Sequence, residues 1–379
     1  MLKGSARTQP DPQIEGYLKT GILVLIVGFL GGCALVPTPP DAEITLSVFF
    51  LDVEQGSSIL IVSPSGVAAL IDAGTGQSGD GPSDAEPVQC IRDIAATIKG
   101  FRLRHIIATH FDADHIGKLD DVLMASPAVV SPDYRLYTRG SVGTSTSSGD
   151  SYGYIESIGP DHRSDIVPND VIDLGAGVAL TCFAADGKYV AGGSVQSVSL
   201  SSNDENGRSV AVILSFHEVK MWFGGDLVRV VEEAVAQYLP DVEVYAVDHH
   251  GASGSSSLAF LQALRPEYAI CQSGQENGYG HPSKNAVERI LSVAASGGGK
   301  PLFLQQNRGN PDDSRSDDSL AAGIADPDGT GPLAGNIEVV TDGYSVTITW
   351  PGHTTTPSET THESAASAAL SLGSRHVLP

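Results

Sequence analysis

Two histidines and two aspartates crowd into one short stretch, His110-Phe111-Asp112-Ala113-Asp114-His115, and the flanking chain says where that stretch must sit. Ahead of it, Arg104-His105-Ile106-Ile107-Ala108-Thr109 is an apolar run of strand type, and behind it Ile116, Leu119, Val122 and Leu123 recur at helical spacing. The cluster therefore occupies a strand-to-helix loop, where side chains escape core packing while rigid backbone positions them. Imidazole nitrogen and carboxylate oxygen together suit zinc or manganese, and no cysteine joins them. A helix cap would explain Asp112 or Asp114 and would leave both histidines idle. His110, Asp112, Asp114 and His115 are accordingly metal-ligand candidates, and Asp112 or Asp114 can also orient an attacking water.

The pattern recurs downstream. Lys220-Met221-Trp222-Phe223 reads as a strand running into Gly224-Gly225-Asp226, ahead of an amphipathic helix over 227–239. Asp226 can ligate a metal or cap that helix. A strand over 242–247 ends in Asp248-His249-His250. Neighbouring side chains on an extended strand point to opposite faces, so one of His249 and His250 is expected to ligate and the other to contact substrate or protonate a leaving group. Asp72, closing a strand over 67–71, can orient a ligand histidine or open a turn before Gly74.

The His-x-Asp-x-Asp-His stretch resembles the metal loop of the metallo-β-lactamase superfamily, usually His-x-His-x-Asp-His, in the form carried by the hydrolase domain of ComEC-type competence proteins, which take up DNA. Asn277-Gly278-Tyr279-Gly280-His281-Pro282 carries the most diagnostic part of that resemblance. Residues 52–57 and 72–74 resemble the domain's opening motifs, with Glu54 and Ser57 where the family tends to have Gly and Asp, and 201–209 resembles its Asn/Ser-containing stretch. The resemblance spans 44–350 and implies the α/β class, as a four-layer αβ/βα sandwich. It implies that Asp226 is a ligand, often a bridging one, and that His281, before a helix N-terminus, faces a spot suited to a phosphoryl oxygen. The family's first site uses a further histidine between the central loop and the Gly-Asp pair; here only His162 and His217 are on offer, neither at the family position. One well-supplied site is therefore expected, from Asp114, His115, Asp226 and a histidine of the 249/250 pair, with a second short of ligands. Oxygen ligands make manganese competitive with zinc. The implied activity is a metal-dependent phosphodiesterase, nuclease-like and using a metal-bound water, with Asp112, Asp114, His250 and His281 as catalytic candidates and DNA as the suggested substrate. The alternative is a non-catalytic binding module with a degraded metal site, which Asp112 and the missing histidine favour.

A net charge of −23 opposes adhesion to nucleic acid or anionic lipid through long-range repulsion. A phosphodiester substrate then needs a local basic patch, for which Arg208, Lys284 and Arg308 are candidates. Cys90, Cys182 and Cys271 show no metal spacing and read as buried thiols. Strands are expected at 44–52, 58–62 and 67–71, antiparallel, and at 177–184, 210–216, 268–271, 302–304, 337–341 and 345–350; a helix at 87–99; a Ser/Gly/Thr surface insertion at 141–153; and an acidic loop at 307–335.

Lys3, Arg7 and Lys19 precede an apolar run over 21–33 that ends in small residues, the layout of a secretory signal and short of the roughly 20 residues a span needs. Leu30-Gly31-Gly32-Cys33 resembles a bacterial lipobox, which implies cleavage before Cys33 and a lipid anchor on it; an uncleaved signal anchor is the alternative. The expected division is a leader at 1–33, a Pro-containing tether at 34–43, the hydrolase domain at 44–350 and a disordered tail at 351–379. Its expected place is the bacterial cell envelope outside the cytoplasm, or secretion, with no protein partner evident. If Cys33 is lipidated, Cys33→Ser moves the protein from the detergent phase to the soluble or unprocessed fraction on phase partitioning; unchanged partitioning favours the signal anchor.

Overall fold

A computed structural model describes residues 45–74, 87–125, 127–140, 149–275, 277–310, 312–329 and 334–355, with the short pieces 358–359 and 377–378. The leader, Cys33 and the tether lie outside the described residues. Among those described, no helix is long and apolar enough to cross a membrane.

Period-two alternation sorts the strand side chains between two cores. In Leu46–Phe50, Leu46, Val48 and Phe50 enter one core while Phe49 enters another; Val67, Ala69 and Ile71 part from Ala68 and Leu70 in the same way. Strands apolar on both faces must be covered on both. The first sheet runs His353–Thr354, Ser345–Trp350, Ile337–Thr341, Leu46–Phe50, Ile59–Val62, Val67–Ile71, Arg102–Ala108, Val130–Thr138, Arg163–Asp165. Its pairings are antiparallel as far as Val67–Ile71 and parallel beyond. The second runs Ser194–Ser197, Lys188–Ala191, Val178–Ala185, Ala211–Phe216, Val219–Phe223, Val244–Ala246, Tyr268–Cys271, Leu302–Asn307, Gly323–Asp326, and turns parallel after Val219–Phe223.

The two sheets pack face to face over one core that includes Phe50, Tyr137, Leu180, Phe216 and Phe223. The outer face of the first sheet is covered by Pro87–Thr97 and Leu119–Met124, through Val88, Ile91, Ile94 and Val122. Arg229–Val235, Leu258–Leu264 and Lys284–Ile290 cover the second, with Val231, Phe260 and Val287 packed around Trp222. Helices, sheet, sheet, helices: this is the four-layer αβ/βα sandwich that the sequence resemblance implied.

Val67–Ile71, Tyr268–Cys271, Ile337–Thr341 and Ser345–Trp350 fall where the sequence pattern placed them. Val130–Thr138, Arg163–Asp165, Ser194–Ser197 and Gly323–Asp326 carry little such signal, being polar, short or broken by Pro132, and hold their place by pairing, while Val171–Gly175 and Lys188–Ala191 are short pieces whose apolar residues were not read as strands. Gly323–Asp326 lies inside the stretch expected to be an acidic loop. Of the expected Ser/Gly/Thr insertion, residues 141–148 lie outside the described residues, and Gly149–Ser157 is a helix that buries Ile155 and sets Tyr152 edge-on to Phe111 at 5.2 Å. The tail expected to be disordered from 351 supplies His353–Thr354 and Ser358–Glu359 to the strand Ser345–Trp350, and Val377–Leu378 to Val171–Gly175.

Phe50, fully buried between the sheets, anchors the central core. Phe50→Ala lowers unfolding free energy by about 3–5 kcal/mol in a denaturant titration, whereas Met124→Ala, at an exposed position, stays within roughly 0.5 kcal/mol.

Candidate metal centre

The parallel strands of both sheets end at one edge, and each delivers a polar group there: Asp72 after Val67–Ile71, residues 109–115 after Arg102–Ala108, Asp226 after Val219–Phe223, His249 and His250 after Val244–Ala246, Gln272 after Tyr268–Cys271. This is the edge at which open α/β sheets bind ligands. The chain passes very close to itself to get there. A Cβ at Gly225, where φ is +57°, would lie 2.7 Å from Thr109 Oγ1, which is why a glycine precedes Asp226.

His115 Nε2 stands 2.9 Å from Asp226 Oδ1 and 3.1 Å from His250 Nε2. His250 Nε2 is in turn 3.4 Å from Asp226 Oδ1 and 3.4 Å from Asp114 Oδ2. One ligand-type atom from each of Asp114, His115, Asp226 and His250 lies within 4.8 Å of the others. Behind this front the ring tautomers are fixed. His115 Nδ1 is 2.7 Å from Asp72 Oδ2, and Asp72 itself accepts from the Thr109 N–H and hydroxyl, each at 2.8 Å. His250 Nδ1 donates to the Gln272 carbonyl at 2.8 Å. A carboxylate and a carbonyl can only accept, so both Nδ1 atoms carry hydrogen and both neutral Nε2 atoms present lone pairs. Lone pairs and a carboxylate oxygen this close need a positive charge among them. The donor set, two imidazoles and two carboxylates, fits a divalent ion; without one, protons do the task. Burial pushes the His115 and His250 imidazoles down, but Asp226, with Asp72 behind His115 and Asp114 beside His250, reverses it and holds both above their ordinary value. Burial opposes ionising Asp114 and Asp226, and the histidines overcome it, His250 foremost for Asp114 and His115 for Asp226.

The other oxygen of Asp226 faces a second group. Its Oδ2 lies 3.6 Å from His249 Nε2 and 3.9 Å from His110 Nε2, which stands 3.6 Å from Asp112 Oδ2. His110 Nε2 is buried and, among the described residues, without a hydrogen-bond partner. Extended-strand alternation does not govern the histidine pair: His249 (φ 54°, ψ 43°) and His250 (φ 51°, ψ 24°) are both left-handed, and both turn toward Asp226. They differ in access, His249 being 24 % and His250 4 % exposed, and in that Asn206 Nδ2 already lies 3.0 Å from His249 Nε2. Neither carboxylate is spent as a cap. Asp112 precedes Ala113–Ile116 without a side-chain cap bond, and the helix after Asp226 begins at Arg229 behind Val228.

His281 stays outside the cluster. Its ring stacks on His250 at 6.2 Å and meets His249 edge-on at 5.8 Å, while burial, then His250 and His249, hold its pKa at about 3. The helix behind it, Lys284–Ile290, is capped by Ser283, which accepts from Ala286 N–H, so the anion spot expected there is partly filled. His162 stacks on Tyr134 at 4.5 Å and His217 on Tyr344 at 5.1 Å, so both have partners elsewhere.

Sequence reasoning missed Arg139. Its guanidinium grips Glu205 with two 2.7 Å bonds and lies 4.5 Å from the Phe111 ring centroid, while Glu205 accepts from Phe111 N–H at 2.9 Å. That clamp fastens the central loop to the segment holding Asn206 and Ser209, whose hydroxyl is 3.3 Å from His110 Nδ1. Gln272 was missed too; the signal was its place directly after a buried strand at the ligand-bearing edge. Two of the expected basic residues are neutralised, Arg208 by Asp186 at 2.5 Å and Lys284 by Asp317 at 3.2 Å. The described cysteines, Cys90, Cys182 and Cys271, are buried, as expected.

Residues 51–178 match the family described as the metallo-beta-lactamase superfamily. Over that stretch the chain matches a metallo-β-lactamase superfamily domain. Recombination protein 2 of Haemophilus influenzae is 24 % identical over 254 residues, 65 % of this chain and 26 % of that protein. Competence protein ComA of Neisseria gonorrhoeae is 36 % identical over 90 residues, 23 % of this chain and 13 % of that protein. The chain thus spans about a quarter or less of these relatives. Among solved structures, CmlA, a diiron beta-hydroxylase from Streptomyces venezuelae, has a TM-score of 0.34 at 14 % identity, covering 62 % of this chain and 45 % of that one. The competence-protein kinship expected from the motifs is borne out. The matched part of the metallo-β-lactamase domain holds Asp72 and the central loop, while Asp226 and the histidine pair lie beyond it. The superfamily match and the Asp/His cluster together support a metal-dependent hydrolase that takes a divalent ion.

Each raised imidazole contributes stability to the ion-free protein that is complete below pH 6.5 and is lost as pH rises through its higher folded value. Over the same interval the Nε2 lone pairs become available. Cation affinity therefore climbs as pH rises above 6.5, with proton release measurable by calorimetry in two buffers of different ionisation enthalpy.

Proposed function

We propose that this chain is a metal-dependent phosphodiesterase, with nucleic acid as its substrate class, that works outside the cytoplasm on a lipid anchor at Cys33. The observation that carries the reading is one buried carboxylate, Asp226, set between two groups of imidazoles whose Nε2 atoms point at it. Asp114, His115, Asp226 and His250 are the residues to hold a zinc or manganese ion, and His110, Asp112 and His249 are grouped on the opposite oxygen for a second. A bound divalent ion would acidify water and neutralise charge on a phosphoryl oxygen. The chain's own part is to fix the imidazoles through Asp72 and Gln272. Asp112 and Asp114, 34 % and 27 % exposed, are the cluster carboxylates that reach solvent, and either can orient an attacking water. The phosphodiester and nucleic-acid parts draw on the likeness to proteins called Competence protein ComA and Recombination protein 2.

The test is the purified protein, stripped and reloaded separately with zinc and manganese, offered single-stranded DNA, double-stranded DNA and small phosphodiesters. Asp226→Ala removes a ligand shared by both groups and abolishes hydrolysis, while far-ultraviolet circular dichroism shows the fold intact. With Asp112→His, which installs the residue usual in the superfamily, activity persists or rises. Wild type that binds no metal and cleaves none of the substrates removes the hydrolase reading and leaves a binding module with a degraded site.

A further inference from the structure

Three rings lie nearly parallel between the Asp/His cluster and solvent. His250, in the cluster, stacks with His281 at 6.2 Å and 21°, and His281 stacks with Tyr279 at 5.6 Å and 23°. Tyr279 ends the series with 59 % of its surface exposed. A lone exposed tyrosine is ordinary. This one is held in place. The buried Asn277 amide donates to Gly274 O at 2.9 Å and His281 O at 2.6 Å and accepts from the N–H of Tyr279 at 3.2 Å and of His281 at 3.0 Å. Both amide hydrogens and the carbonyl oxygen are thereby used on the turn that presents the ring. The neighbouring Arg315 donates to Gly278 O at 3.2 Å and is paired with Asp313, so the face beside Tyr279 brings no free charge from that arginine.

We infer that Tyr279 is a substrate-binding platform on which a nucleobase stacks, with the phosphodiester to be cleaved lying toward Asp226. The choice of ligand rests on the phosphodiesterase reading above. A flat, rigid, half-solvated aromatic favours a flat partner, and base stacking is tolerant of base identity. It also needs no cation, which matters in a chain of net charge −23 whose Arg208 and Lys284 are already paired. Short-range stacking is how such a surface can hold a polyanion that its long-range field repels.

The experiment compares three ligands on the manganese-loaded protein by fluorescence anisotropy: a labelled, hydrolysis-resistant phosphorothioate oligothymidylate, an abasic strand of the same length, and thymidine 5′-monophosphate as competitor. Tyr279→Ala weakens oligothymidylate binding about tenfold, Tyr279→Phe by no more than roughly twofold, and neither alters binding of the abasic strand. Displacement of the oligomer by the mononucleotide that weakens about tenfold in Tyr279→Ala supports stacking of its base, and displacement equal in wild type and Tyr279→Ala, as phosphate held at the metal alone would give, counts against it. Unchanged oligothymidylate binding in Tyr279→Ala, or an equal loss on the abasic strand, overturns the inference. Base-dependent binding without hydrolysis of any phosphodiester keeps the platform and removes the enzyme reading, whereas hydrolysis and binding indifferent to Tyr279 do the reverse.

Discussion

One carboxylate facing four imidazoles is the constraint to which the rest of this protein answers. Asp226 is 3 % exposed, and its oxygens meet His115 and His250 on one side, His110 and His249 on the other. An ionised carboxylate so buried is costly unless it is paired. The surroundings decide what kind of pairing is possible. By accepting from the Nδ1–H groups of His115 and His250, Asp72 and the Gln272 carbonyl turn the Nε2 lone pairs inward, the arrangement that suits a cation.

Tight backbone contacts make this geometry possible. The central loop is held by the Arg139–Glu205 pair, which is buried and doubly bonded; losing either partner would leave the other charge poorly compensated in the interior, which costs more than the pair itself contributes. The histidine pair adopts a left-handed backbone twice in succession, a conformation that non-glycine residues hold only where surrounding bonds over-determine it. Here the bond from His250 to Gln272 O and the contacts of His249 with Asn206 and Ser255 supply that constraint.

Legibility in the sequence tracked burial. Strands covered on both faces announced themselves, as at Val67–Ile71 and Tyr268–Cys271, because every residue along them had to be apolar. Strands held by one neighbour, such as Ser194–Ser197, have no compositional reason to look like strands. At the site, the clustered His and Asp residues were legible by type and spacing. The orientation of His249 was not, since it depends on a positive φ that no residue type at that position signals. Arg139 was invisible for a related reason: a buried arginine is recognisable only once its carboxylate, 66 positions away, has been brought to it.

The site is shared between the two sheets, and that has a consequence for cohesion. His115 belongs to a loop of the first sheet and His250 to a loop of the second, 135 positions apart. A cation held by both is a cross-link between the halves of the sandwich, closing a chain loop longer than most disulfides close. Occupancy then becomes a mechanical property as much as a chemical one: the halves cannot part without surrendering the ion, and neither half, released from the other, owns a complete set of donors.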